Sequence, residues 1–221
     1  MNLIFICVFN QDKYVDMLFL LLESIGIYGK LDNTHILIYT SNLFMNRIKE
    51  NQFYNDKIIF EINDGYNNVD NARKARLDLF NLQSIAKYKK ILYLDTDTLV
   101  KNDINKVFDV CHEDILYAFS SILLFNNCEK IRELFNKINE DIVNTPYNFS
   151  SYYQPYIVYN AYKYHLYNNK ILKLFVVNND NNIHSDKIIH HFPGIPYQHK
   201  IEIMTTFLNN YKHMDASCIK I

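Results

Sequence analysis

Through the first hundred residues, short apolar runs too brief for helices alternate with segments of helical length, and this restricts the chain to few folds. Asn2 to Phe9 is apolar and β-prone, breaks at Asn10-Gln11-Asp12, and gives way to a helical run from Tyr14 to about Tyr28 closed by Gly29. The strand signal returns at Thr34 to Thr40, Asn42 to Asn51 reads as a helix, and Lys57 to Ile62 is a third strand. Such alternation implies an α/β chain with a mostly parallel sheet flanked by helices. Ligands of such sheets sit beyond the carboxyl ends of the strands, at a switch in strand order. At 221 residues, 49% of them hydrophobic and 15% aromatic, the chain has material for one core, so a single domain is expected.

The loop Asn10 to Lys13 lies at that end of the sheet, and so does a second feature. Ile91 to Leu94 is a buried-strand signal that stops abruptly on Asp95-Thr96-Asp97, with Thr98-Leu99-Val100 beyond. In an extended segment Asp95 and Asp97 face one point while Thr96 faces away. An isolated Asp-x-Asp triplet is most often a turn with a helix cap. The apolar residues on both sides and the helix-like segment Ile104 to Val110 favour another reading here. Two carboxylates at the mouth of a buried strand are costly unless a divalent cation such as Mn²⁺ or Mg²⁺ pairs with them.

Further along, Val69 to Lys89 reads as one long helix leading into that strand, with Arg73, Lys74 and Arg76 in its first half. Three such cations usually form a solvated face, and equally one of them would reach a diphosphate. Ile115 to Phe125, interrupted by Ser120-Ser121, reads as one or two strands. Cys128 to Val143 and the Tyr-rich Ser150 to Tyr167 read as helices, and Leu172 to Val177 as a strand ended by an Asn178-to-Asn182 turn. In the stretch Ile188 to Lys200, His190 or His191 at a strand end would complete a coordination shell begun by the aspartates, against the bland reading of loop histidines. Gly194, between two prolines, suits a close backbone approach to a ligand.

Charge and cysteine use exclude several classes. A formal net charge of −1 with no basic stripe argues against nucleic-acid binding. Cys7, Cys111, Cys128 and Cys218 form no CxxC pair, so neither a zinc site nor a disulfide framework is expected, and a reducing compartment fits. The most apolar stretch, Met17 to Leu22, falls well short of the roughly 20 residues that span a bilayer. With no leader evident, no membrane span and a cytoplasmic enzyme are expected. The bias toward Asn, Ile, Lys and Tyr suggests an AT-rich coding sequence, hence a bacterial or viral setting, with host cytoplasm the location if viral. The sequon Asn148-Phe149-Ser150 reads as accidental.

Taken together, from Asn2 to about Lys200, these segments resemble glycosyltransferase family 8, the glycogenin-like and bacterial galactosyltransferase-like enzymes of the GT-A fold. That resemblance implies a Rossmann-like sheet, with residues up to about 100 binding the nucleotide and those from about 101 to 200 completing the metal and acceptor site. Leu94 to Val100 resembles the family's metal and donor motif, which gives Asp95 and Asp97 to the metal and Thr96 a place at the nucleotide. His191-Phe192-Pro193-Gly194 resembles the late His-Phe-x-Gly, which selects His191 as third ligand and places Gly194 at the donor; Lys200 is the counterpart of a diphosphate-binding lysine. Arg76-Leu77-Asp78-Leu79-Phe80 resembles the segment whose basic residue contacts the donor. Val8 and Asn10 are implied to line the uridine, with Tyr14 stacked on the base. Tyr153-Gln154 stands where the family has Asp-Gln, and Phe119 where it has Asn; Gln154 is kept.

The activity implied is transfer of a hexose, glucose or galactose, from a UDP-sugar to a glycan, protein or lipid-linked acceptor, with Mn²⁺ and retention. No assignable carboxylate nucleophile is present, and the resemblance implies a front-face route instead, with Asp97, Gln154 and Arg76 carrying the chemistry. A homodimer is admitted. The rival reading is a sugar-nucleotide-binding protein of the same fold without turnover, on the strength of Tyr153 and Phe119. A haloacid-dehalogenase phosphatase would use Asp95 as nucleophile and Asp97 as acid, but its fold opens with that strand, and here three strand signals precede it.

Overall fold

A computed structural model describes residues 1–145 and 153–218, the last four of them by backbone alone. The expected start of a helix at Ser150 and the Asn148 sequon lie outside the described residues.

The parallel half is built from β1 (Asn2–Val8), α1 (Asp12–Tyr28), β2 (Thr34–Thr40), α2 (Asn42–Lys49), β3 (Ile58–Ile62) and β4 (Lys90–Tyr93). β1 pairs in parallel with β2 on one side and β4 on the other, and β2 pairs in parallel with β3. The sheet continues through a hairpin, β6 (Leu116–Phe119) and β7 (Ile122–Asn126), antiparallel to β4, and ends on the two-residue β8 (Tyr167–Asn168). The seven-stranded order β3-β2-β1-β4-β7-β6-β8 reverses direction of growth between β1 and β4, so the crevice lies beyond Val8 and Tyr93.

Alternation along β1 divides the core. Ile4, Ile6 and Val8 face α1, whose Val15, Leu18, Leu22 and Ile25 form the matching stripe. Leu3 and Phe5 face the other layer, where Phe80, Phe125 and Phe135 pack together. This second layer is covered by α5 (Glu129–Asn144) and α6 (Gln154–Lys163).

A smaller sheet, β5 (Thr98–Val100), β10 (Ile189–His191) and β9 (Val176–Asn178), sits beside the first. Its central strand β10 pairs antiparallel with β5 and parallel with β9, so His191 lies opposite both Thr98 and Asn178. α7 (Tyr197–Cys218) packs on α1, burying Met204, Phe207 and Leu208 against Met17, Leu99 and Phe192.

Three expected elements differ. The helix expected to run to Tyr167 stops at Lys163, and Tyr167 belongs to β8. The helix over 69–89 is α3 (Val69–Lys74) followed by 3₁₀ segments Ala75–Asn81 and Gln83–Lys87. The cause is double-sided burial: Leu77 and Leu79 are both buried, and an α-helix would point residues two apart about 200° from each other. The strand over 172–177 is a 3₁₀ turn, Ile171–Leu174, with only Val176–Asn178 extended. The helix expected over Ile104 to Val110 is α4 (Asn105–Asp109). No described helix is long and apolar enough to cross a membrane.

Candidate active site at the end of β4

β4 stops at Tyr93, and the chain turns before β5. Thr98 donates its hydroxyl to the Asp95 carbonyl at 2.7 Å, and the Phe192 amide donates to the Asp97 carbonyl at 2.9 Å. The turn corrects the straight-strand expectation for Thr96: it lines the same cavity as Asp95 and Asp97. Behind them Tyr93 donates its hydroxyl to Asp95 Oδ1 at 2.6 Å. Burial, then the Asp95 charge, raises the Tyr93 pKa well above its ordinary value, which keeps this hydroxyl a donor.

Neighbouring residues of β10 point to opposite sides, and this separates the two histidines. His191 Nε2 lies 3.3 Å from Asp97 Oδ1, and its Nδ1 lies 3.1 Å from Asn178 Oδ1. The Asn178 oxygen can only accept, so Nδ1 carries a proton and Nε2 is the nitrogen turned to the carboxylates. His190 instead packs on Phe207 with ring centroids 4.5 Å apart and reaches the Asp180 carbonyl through Nδ1. Ligand atoms of Asp95, Asp97 and His191 lie within 4.8 Å of one another. Two carboxylates and an imidazole are a donor set that suits Mn²⁺, with Mg²⁺ the harder alternative. Burial alone would raise the Asp97 pKa; the His191 hydrogen bond and the charges of His191 and Lys200 outweigh it and hold the carboxyl low.

The aspartates open on a cavity of about 570 Å³. Arg76 enters its wall with the guanidinium 5.6 Å from the Tyr93 ring, and its Nε is buried without a hydrogen-bond partner among the described residues. An orphaned buried cationic donor of this kind fits an anionic ligand. Lys200, from the first turns of α7, reaches Asp97 Oδ2 at 2.5 Å. Gly194 has φ +72°, and a Cβ there would meet no protein atom within 4 Å, so its backbone faces open cavity. Gln154, at the start of α6, donates to the carbonyl of Ser120, whose own φ is +55° in the β6–β7 turn.

Asp95, Thr96, Asp97, His191, Gly194, Lys200, Arg76, Gln154 and Tyr14 are thus brought to one cavity. Val8 and Asn10 are not among its lining. Val8 shares the core face of β1 with Ile4 and Ile6, so strand parity turns Cys7 and Phe9 to the cavity in its place. Asn10 takes the left-handed conformation, φ +71°, in the loop that follows. Phe119 and Tyr153 also lie off the lining, under the ammonium groups of Lys173 and Lys74 at 5.9 and 5.3 Å. Tyr93, Asn178 and Ser121 join the site without having been singled out for it. Ser121 Oγ lies 3.4 Å from His191 Nε2.

No protein-family model matches the sequence, and no curated protein matches it either. Solved structures do. The bifunctional glycosyltransferase WbbM superposes with a TM-score of 0.66 at 14% identity over 94% of this chain, which spans about half (51%) of WbbM. The galactosyltransferase LgtC, solved with donor and acceptor sugar analogues, gives 0.62 at 14% identity, covering 93% of this chain and 96% of LgtC. A glycosyltransferase involved in glycosylation of the major capsid of PBCV-1 gives 0.62 at 13% identity, covering 93% of this chain and 98% of its own. The fold is therefore that of the GT-A glycosyltransferases.

Proposed function

We propose that this chain is a glycosyltransferase that moves a hexose, glucose or galactose, from a UDP-sugar to a glycan, protein or lipid-linked acceptor, with retention and dependence on Mn²⁺. The observation that carries the reading is the convergence of two carboxylates, an imidazole and three cations, Arg73, Arg76 and Lys200, on one cavity beyond the β1–β4 switch point. Residues 1–100 bind the nucleotide in this reading, and 101–200 complete the metal and acceptor side.

Asp95, Asp97 and His191 hold the metal, which when bound supplies positive charge to the diphosphate as it leaves. Tyr93 and Asn178 orient two of these ligands. Arg76 donates its unpaired Nε to a diphosphate oxygen, adding a fixed donor where charge develops. Tyr14 stacks on the base, and the Gly194 backbone lets the donor approach without a side chain between. Gln154, held by Ser120, orients a sugar hydroxyl. Among the described residues, the carboxylates lining the cavity are Asp95 and Asp97, both given to the metal in this reading, which supports front-face attack by the acceptor hydroxyl over a covalent glycosyl-enzyme.

Calorimetric titration with UDP tests the ligand assignment. UDP binds tightly with Mn²⁺ and weakly with chelator, and Asp97→Asn or His191→Ala abolishes the difference without lowering the melting temperature by more than a few degrees. Equal UDP affinity with and without metal in the parent protein would remove the basis of the proposal.

A further inference from the structure

Asp97 already holds a cation, the ammonium of Lys200, 2.5 Å from Oδ2, with the two side chains 12% and 14% exposed. Asp97 is also one of the three groups gathered for a metal. Asp97 spreads one negative charge over two oxygens, so the ammonium on Oδ2 weakens the hold of Oδ1, which faces His191, on a divalent ion, and at this depth water screens the two cations from each other only weakly. Lys200 hangs on a flexible four-carbon stem from α7, so its head can leave Asp97 while the helix stays packed on α1. Once released, the ammonium needs another anion. The cavity that Lys200 lines with Arg76 is where the proposed donor places its diphosphate.

Resting on the reading above, we infer that Lys200 is a resident counter-ion that competes with the divalent metal for Asp97 and is released onto the nucleotide's diphosphate, so that metal and nucleotide bind cooperatively. Metal alone meets a site whose ligand is engaged. Nucleotide supplies the partner that stabilises Lys200 in its released position and thereby frees Asp97. Because linkage is reciprocal, metal tightens nucleotide by the same factor. The pair also keeps the buried carboxylate neutralised before either ligand arrives.

The test is Mn²⁺ affinity, followed by electron paramagnetic resonance of the free ion, with and without UDP, in the parent protein, Lys200→Met and Lys200→Arg. In the parent, UDP tightens Mn²⁺ binding by about tenfold or more, within the usual range of coupling between sites. Lys200→Met binds Mn²⁺ alone about tenfold more tightly than the parent and loses most of the gain from UDP. Lys200→Arg keeps a cation on Asp97 and stays close to the parent. Should the Met variant fail to fold, Lys200→Gln, uncharged but still a donor, carries the same expectation. Unchanged or weaker Mn²⁺ binding by the uncharged variants, with UDP-dependent binding intact in the parent, overturns the inference and leaves the proposed function standing. Absence of Mn²⁺ binding in every protein, with UDP present, overturns both.

Discussion

His191 donates its Nδ1–H to the side-chain oxygen of Asn178 across 3.1 Å, and the donation leaves Nε2 facing Asp97. The β9–β10 register that sets these residues side by side thus fixes the ring of the proposed metal ligand. Outer partners of this kind typically govern about 10- to 100-fold in metal affinity. Asn178→Ala is expected to weaken Mn²⁺ binding by that range in the presence of UDP, and Asn178→Asp to retain it. Mn²⁺ titration of the two variants checks the pair.

Arg76 is the cleanest donor-side test, because its buried Nε has no protein partner to lose among the described residues. Removing one preorganised donor to developing charge costs about 100-fold or more in turnover. Arg76→Met is expected to lose that much activity with a melting temperature near the parent's. A comparable loss of stability would instead make Arg76 a structural residue.

Gly194 combines a left-handed backbone with empty space where a Cβ would project. Gly194→Ala is expected to cost about 1–2 kcal/mol of stability through its φ alone. Donor affinity falls further than this cost predicts, since the methyl occupies the approach path. Denaturant unfolding and UDP titration of the same variant separate the two effects.

His190 gives a pH dependence with a definite sign. Burial, which disfavours the charged ring, lowers its pKa to about 4 in the folded chain, against an ordinary value of 6.5. The unfolded state therefore binds the proton first, and the folded state loses stability as pH falls from 6.5 to about 4. The window is worth at most about 3.5 kcal/mol, at about 1.4 kcal/mol per unit. His190→Phe removes this part of the acid sensitivity, so urea unfolding of both proteins without metal between pH 7 and pH 4 should show their difference shrinking or reversing with acid.

Much of this architecture was legible because local pattern and tertiary environment agree. Thr34–Thr40 is a strand at the residues expected, and Asp12–Tyr28 carries its buried stripe at helical spacing. Where burial comes from two sides, pattern fails: Leu77 and Leu79 read as helix but wind as 3₁₀. The same holds at the site. Asp95, Asp97 and His191 announce themselves by a strand-end carboxylate pair and a strand-end imidazole. The loop resemblance points to Val8, whose side chain lies in the core beside α1, while strand parity turns Cys7 to the cavity. Asn178 reads in the sequence as the start of an Asn-rich turn, whereas it closes β9, and only pairing with β10 distinguishes it. α7 was readable in principle, since Met204, Phe207 and Leu208 recur at helical spacing.

The most direct measurement is UDP release from a panel of UDP-sugars, with Mn²⁺ and again with chelator, using water as the default acceptor. Metal-dependent release from one hexose donor, abolished by Asp97→Asn in a folded protein, is the predicted result. UDP binding with Mn²⁺ but no release from any donor, even with glycan acceptors added, would contradict the account and leave a sugar-nucleotide-binding protein of the same fold.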